Sequence, residues 1–106
     1  MMDEAKKQRL KNDGWEVGNA ADFLELTPEE AEFVALRLSL SRAIRDLRTA
    51  RGLSQTDLAR RIGSSQSRVA KMEAAAPSVS VDLMIRCLLR IGAHRDEVAR
   101  WVARPA

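Results

Sequence analysis

The sequence is poor in the residues from which metal sites, disulfides and catalytic centres are assembled. It has one cysteine, Cys87, and one histidine, His94, in 106 residues. A structural zinc site takes four ligands of this kind and a catalytic one usually three, so no metal site is expected. A single thiol excludes a disulfide framework within the chain and suits a reducing cytosol. No uninterrupted apolar run approaches the roughly 20 residues that span a bilayer. The first nine residues lack the apolar h-region of a secretory leader. A cytoplasmic location without membrane association is the expectation. The phosphate-binding, dinucleotide-binding and nucleophile-elbow glycine motifs are also missing, so neither an enzyme nor a cofactor is expected.

What is present is charge and a moderate apolar content. Charged residues make up 31% and apolar ones 45% of the chain, enough for one packed domain. The net charge is +3, but it is unevenly placed. Residues 1–39 hold five basic and nine acidic side chains, whereas residues 40–106 hold 13 basic and six acidic. A compact basic segment is the electrostatic footprint of a phosphate-binding surface, although a solvated helix surface rich in arginine gives the same arithmetic.

Hydrophobic spacing predicts helices throughout residues 27–106 and no strand. Thr27 is a capping residue, Pro28 suits the first helical position and Glu30 completes the capping-box spacing. From residue 28 to 51 there is no further glycine or proline, and Phe33, Leu36, Leu40, Ile44 and Leu47 form one stripe. One long helix ending at Gly52 is expected, with a break near residues 39–41 as the alternative. The wide apolar face of its first half, with Val34 and Leu38, suits core packing or a subunit interface. Short helices follow over residues 55–62, 66–74, 81–91 and 95–102, with Ser54 and Ser80 as caps and Gly63 and Gly92 as stops. The fold class is therefore all-α: a five-helix domain over residues 27–106 with a long first helix. Residues 1–26 form an acidic, partly ordered N-terminal extension.

The segment from Gln55 to Met72 is the informative part. Two short helices are joined by a glycine-containing turn, the outline of a helix-turn-helix. Ala59 falls where the helices cross and only a small side chain fits, and Gly63 sits where the chain reverses. Leu58, Ile62, Val69 and Met72 make a small core. At 100° per residue, Ser67, Ala70, Lys71 and Ala74 point away from Val69 and Met72, with Gln66 at the exposed N-terminal end. Glutamine can pair with adenine in bidentate fashion, lysine favours guanine, and serine serves several bases. Each of these residues alone suits an ordinary polar helix surface. Together with the turn and the basic segment, they point to double-stranded DNA as the partner.

Residues 53–73 resemble the helix-turn-helix of the Cro and phage-repressor (XRE) family, and the similarity extends over residues 40–92. The resemblance implies that Gln66, Ser67 and Lys71 read bases and that Gln55 and Arg68 touch phosphates. It also implies an ion pair between Arg48 and Glu73, which ties the first helix to the end of the recognition helix. The loop over residues 74–80 departs from the family pattern: it lacks the Asn-Gly and the basic residues that often follow the recognition helix. Only backbone N–H groups near Ser78 and Ser80 are left there for phosphate. A homodimer is expected, because one recognition helix covers few bases. The preferred interface is the last helix, with Val98, Trp101 and Val102; the alternative is Phe33, Val34 and Leu38. The N-terminal extension is loosely similar to that of HigA-type antitoxins. That similarity implies a second reading, in which Trp15, Phe23, Leu24 and Leu26 clamp a basic toxin and the chain represses its own operon.

Overall fold

The computed structural model describes residues 25–104; Trp15, Phe23, Leu24 and the rest of residues 1–24, with the roles expected of them, lie outside that range. Five helices and no strand occur among the described residues: α1 Pro28–Ala50, α2 Gln55–Ile62, α3 Gln66–Glu73, α4 Val81–Arg90 and α5 Arg95–Ala103. The expected all-α, five-helix architecture is present. None of these helices is long and apolar enough to cross a membrane. Described residues 25–36 belong to one compact unit and residues 37–104 to another.

The start of α1 is fixed by local chemistry. The Thr27 N–H donates to Glu30 Oε1 at 3.0 Å, and the Glu30 N–H donates to Thr27 Oγ1 at 3.1 Å. These reciprocal bonds satisfy two amides that the helix itself leaves without partners. The helix then runs unbroken past residues 39–41, where Ser41 Oγ donates to the Leu38 carbonyl within the same turn. The serines therefore do not end it. The apolar stripe is not uniformly buried. Leu40 and Ile44 are completely enclosed, Leu36 and Leu47 are half-buried, and Phe33 is 53% exposed.

In residues 37–104 the core is built by Leu40 and Ile44 with Leu58, Val69, Met72, Met84 and Leu88, all fully buried. Ala43, Ala59, Ile62, Val79, Cys87, Ile91, Ala93 and Val98 complete it. Leu58, Ala59, Ile62, Val69 and Met72, the residues expected to face inward on α2 and α3, do so.

Four helices end in the same hydrogen-bond pattern, in which the two amides after the helix bond back to carbonyls of its last turn. At α1 the bonds are Gly52 N–H to Thr49 O and Leu53 N–H to Arg48 O. At α2 they run from Gly63 and Ser64, at α3 from Ala75 and Ala76, and at α4 from Gly92 and Ala93. This pattern requires a left-handed residue, and three of the four are glycines. The fourth is Ala75, at φ 53°.

A guanidinium bonds a carbonyl at or just beyond each of these ends. Arg48 Nη1 donates to Leu53 O at 2.8 Å, and Arg90 Nη1 donates to Ile62 O at 2.6 Å. Arg37 donates to Ala76 O and Arg51 to Ile91 O. The negative end of a helix dipole favours a cation at this position. Part of the basic excess read from the sequence as a phosphate footprint is therefore internal scaffolding.

Candidate nucleic-acid interface

The helix-turn-helix is assembled from two capped helices. Ser54 Oγ accepts the Asp57 N–H and Asp57 Oδ2 accepts the Ser54 N–H, both at 3.0 Å, which starts α2 at Gln55. The N–H of Ser54, with its hydroxyl second, holds the Asp57 carboxyl below the ordinary aspartate range. Gly63, at φ 68° and ψ 39°, turns the chain. Ser65 then starts α3 by accepting the Arg68 N–H at 3.1 Å. Ser65 thus joins Ser54 and Ser80, the caps expected from the sequence, since a serine directly before a helical segment is a capping signal.

Across the turn, buried Ala59 lets α2 and α3 approach, and Val69 and Met72 are completely enclosed. The opposite side of α3 is open. Gln66, Ser67, Arg68, Lys71 and Ala74 are exposed, and Ala70 is intermediate. This is the outward face expected from the helical projection: short or hydrogen-bonding side chains, with no bulky apolar group.

One polar network joins three of the helices. Arg48 Nε bonds Glu73 Oε2 at 2.6 Å, and Arg48 Nη2 bonds Glu73 Oε1 at 3.0 Å. The side chains are 14% and 7% exposed, so the two-pronged pair is well shielded from water. Glu73 raises the Arg48 pKa, chiefly by hydrogen bonding. Gln55 Nε2 donates to the same Glu73 Oε1 at 3.3 Å. Gln66 Nε2 in turn donates to Gln55 Oε1 at 2.7 Å. The ends of α1 and α3 are thereby linked through α2 to the first residue of α3. The resemblance indicated the Arg48–Glu73 pair, whereas the Gln55–Gln66 link depends on two residues 11 positions apart meeting across the turn.

Arg68 and Lys71 have no ion-pair partner among the described residues. Ser78 and Ser80 are exposed in the loop after α3. Ser80 Oγ is the cap of α4, accepting the Leu83 N–H at 3.1 Å. The Val79 amide between the two serines donates to Ala76 O at 3.0 Å, so it is already used within the fold.

On α5, Val98 is buried, and Trp101 and Val102 are half-buried. His94 precedes α5 as an exposed residue whose N–H donates to Glu97 Oε1 at 2.9 Å. Cys87 lies in the core, where burial and, secondarily, the Glu73 charge push its thiol pKa up to about 11. A thiol so protonated is a poor nucleophile. No group of three or more His, Cys, Asp or Glu side chains that could hold a metal ion occurs among the described residues.

No curated protein and no solved structure matches the chain. A family model does: that of a helix-turn-helix domain, over residues 39–101. The match takes in the capped α2–turn–α3 unit, the network that locks it and the helices that enclose its core, and on this ground the chain belongs to the helix-turn-helix domain family.

Proposed function

We propose that the protein is a sequence-specific DNA-binding regulator of the Cro/XRE type, acting as a dimeric repressor with α3 in the major groove. The observation that carries this reading is the two-sided character of α3. Val69 and Met72 are wholly enclosed, while Gln66, Ser67, Arg68 and Lys71 stand exposed on a helix locked at both ends. Positional rigidity of this kind is what base discrimination requires, since misplaced hydrogen-bond partners lose specificity.

Gln66, Ser67 and Lys71 read base edges. The bond to Gln55 uses one of the two Gln66 amide hydrogens. The second hydrogen and Oε1 remain for a two-point contact with adenine N7 and N6. Gln55 and Arg68 meet phosphates, Gln55 from the start of α2, where the helix dipole favours an anion. The exposed Ser78 and Ser80 add contacts from the loop. In the dimer, Trp101 and Val102 supply apolar surface from α5, with Val98 behind them.

The experiment is selection of bound sequences from a random DNA library, followed by affinity measurements on the enriched site and on random DNA. The expected result is an enriched inverted repeat. Gln66→Ala should lower the specific affinity by roughly 1–3 kcal/mol with little effect on random DNA. Absence of any enriched sequence, or an unchanged specific-to-random ratio in folded Gln66→Ala and Lys71→Ala proteins, overturns the reading.

A further inference from the structure

Away from the α3 face, α1 and the end of α5 border a shallow opening lined by Ser39, Arg42, Ala43, Trp101 and Arg104. Its small residues, Ser39 and Ala43, are buried, Trp101 is half-buried, and Arg42 and Arg104 are exposed. Ser39 Oγ donates to the Arg104 carbonyl at 3.5 Å, which ties the end of α5 to α1 at this point. No carboxylate of a described residue lines the opening. Arg42 and Arg104 also differ from the arginines that bond carbonyls at helix ends and from Arg60, Arg86 and Arg100, which pair with aspartates. Neither guanidinium forms an ion pair or donates a side-chain hydrogen bond among the described residues. Two guanidinium groups and an indole around one opening suit a carboxylate, which guanidinium binds through paired hydrogen bonds.

The chain itself carries the complementary charge. Described residues 25–36 contain four glutamates and no basic residue, whereas residues 37–104 contain fourteen basic and six acidic side chains. Glu29 and Glu32, one helical turn apart on α1, are both exposed. Residues at this spacing share a helix face. A two-fold dimer allows the same pair of unlike patches to meet twice, each copy offering its acidic face to the basic opening of the other.

We propose that the Arg42–Trp101–Arg104 opening is a docking site for a second copy of this chain, filled by the Glu29/Glu32 face of its α1. The inference rests on the dimeric reading above and assigns the dimer contact to the α5 end and the acidic half of α1. It makes self-association sensitive to salt, because the pairing charges are exposed in the free chain.

The test is sedimentation of the full chain without DNA, using Arg42→Glu with Arg104→Glu, Glu29→Arg with Glu32→Arg, and an equimolar mixture of the two proteins. Circular dichroism verifies helix content in each. The wild type should sediment as a dimer at micromolar concentration. Each double variant should associate at least roughly tenfold more weakly and run at the single-chain mass of 11.8 kDa. The mixture should recover the dimer, because each reversed patch then meets its opposite. Arg42→Gln with Arg104→Gln, which introduces no new charge, should weaken association in the same direction. A monomeric wild type, a dimer unaffected by either double variant, or folded variants that stay monomeric when mixed overturns the proposal. Library selection of DNA tests base reading independently of which face forms the dimer, so the two readings fail separately.

Discussion

Arg48 and Glu73 show how much one pair of side chains can hold. Glu73 accepts two bonds from Arg48 and one from Gln55, while Arg48 also holds the Leu53 carbonyl in the turn after α1. Removing either partner leaves a largely shielded charge without its counterion, so Arg48→Met or Glu73→Gln should lower unfolding free energy by about 3 kcal/mol, the lower end of the range for buried pairs. Urea denaturation of the two variants measures this, and losses under about 1 kcal/mol would place the pair with solvent-exposed ones. Asp57 behaves differently because 46% of its side chain is open to water, far more than at Glu73. Its folded-state pKa is depressed by Ser54, with a smaller contribution from Arg60. The stabilisation it gives is therefore present above the unfolded carboxyl pKa and lost as pH falls through the folded value. The difference in melting temperature between wild type and Asp57→Asn should be largest near about pH 6 and should shrink toward about pH 3. A difference that does not change over that interval would show that the carboxylate charge adds nothing to the cap.

At the scale of elements, the end of α3 is the place where local preference and fold disagree. Gly52, Gly63 and Gly92 provide the left-handed residue for α1, α2 and α4, but Ala75 does so for α3. An L-residue in this conformation is strained by roughly 1–2 kcal/mol, while glycine adds unfolded-state entropy worth about 0.4–1 kcal/mol. Ala75→Gly should therefore stabilise the protein by up to about 1 kcal/mol. Gly63→Ala should destabilise it by about 1 kcal/mol from backbone strain alone, because the added Cβ would lie 3.6 Å from Arg90 Nη1, an ordinary contact. Thermal melts of both variants test the assignment, and a lower melting temperature for Ala75→Gly contradicts it. The same comparison explains what the sequence made legible. Helices α2 to α4, their caps at Ser54 and Ser80 and their buried residues were readable because period, cap and stop agree. The α3 end was less legible, since three alanines carry no turn signal and only the hydrogen bonds at Ala75 and Ala76 reveal it. The arginine–carbonyl bonds were hidden for another reason. Charge in a sequence does not distinguish Arg90, which reaches back 28 residues to Ile62, from Arg68, which stands in solvent. The burial of α1 was only half readable, because its stripe continues through Phe33 although the enclosed part begins at Leu40.

For the whole molecule, the division of the arginines between scaffold and surface sets what salt can do to DNA binding. Arg37, Arg48, Arg51 and Arg90 are bonded to carbonyls at helix ends, so they are poor candidates for neutralising phosphate. Arg68 and Lys71 remain on the proposed DNA face, and the expected number of neutralised phosphates is correspondingly small. The logarithm of affinity should fall with the logarithm of salt at a slope near −0.9 for each phosphate neutralised. Arg68→Ala should weaken binding to specific and random DNA alike and flatten that slope by about one per contact, or about two for a dimer. Lys71→Ala should instead lower preference at one position in each half-site, because its assigned partner is a base. The two half-sites should lie about 10–10.5 base pairs apart, or a multiple of that, so that two-fold related α3 helices enter the same side of the duplex. Arg90→Leu is the control that separates the classes: it should lower the melting temperature through loss of the Ile62 carbonyl bond and leave the salt slope of the folded protein unchanged. Affinity titrations of these three variants over low to moderate salt decide the matter. A slope that flattens in Arg90→Leu but not in Arg68→Ala would reverse the assignment of scaffold and surface arginines, and with it the placement of α3 against the phosphate backbone.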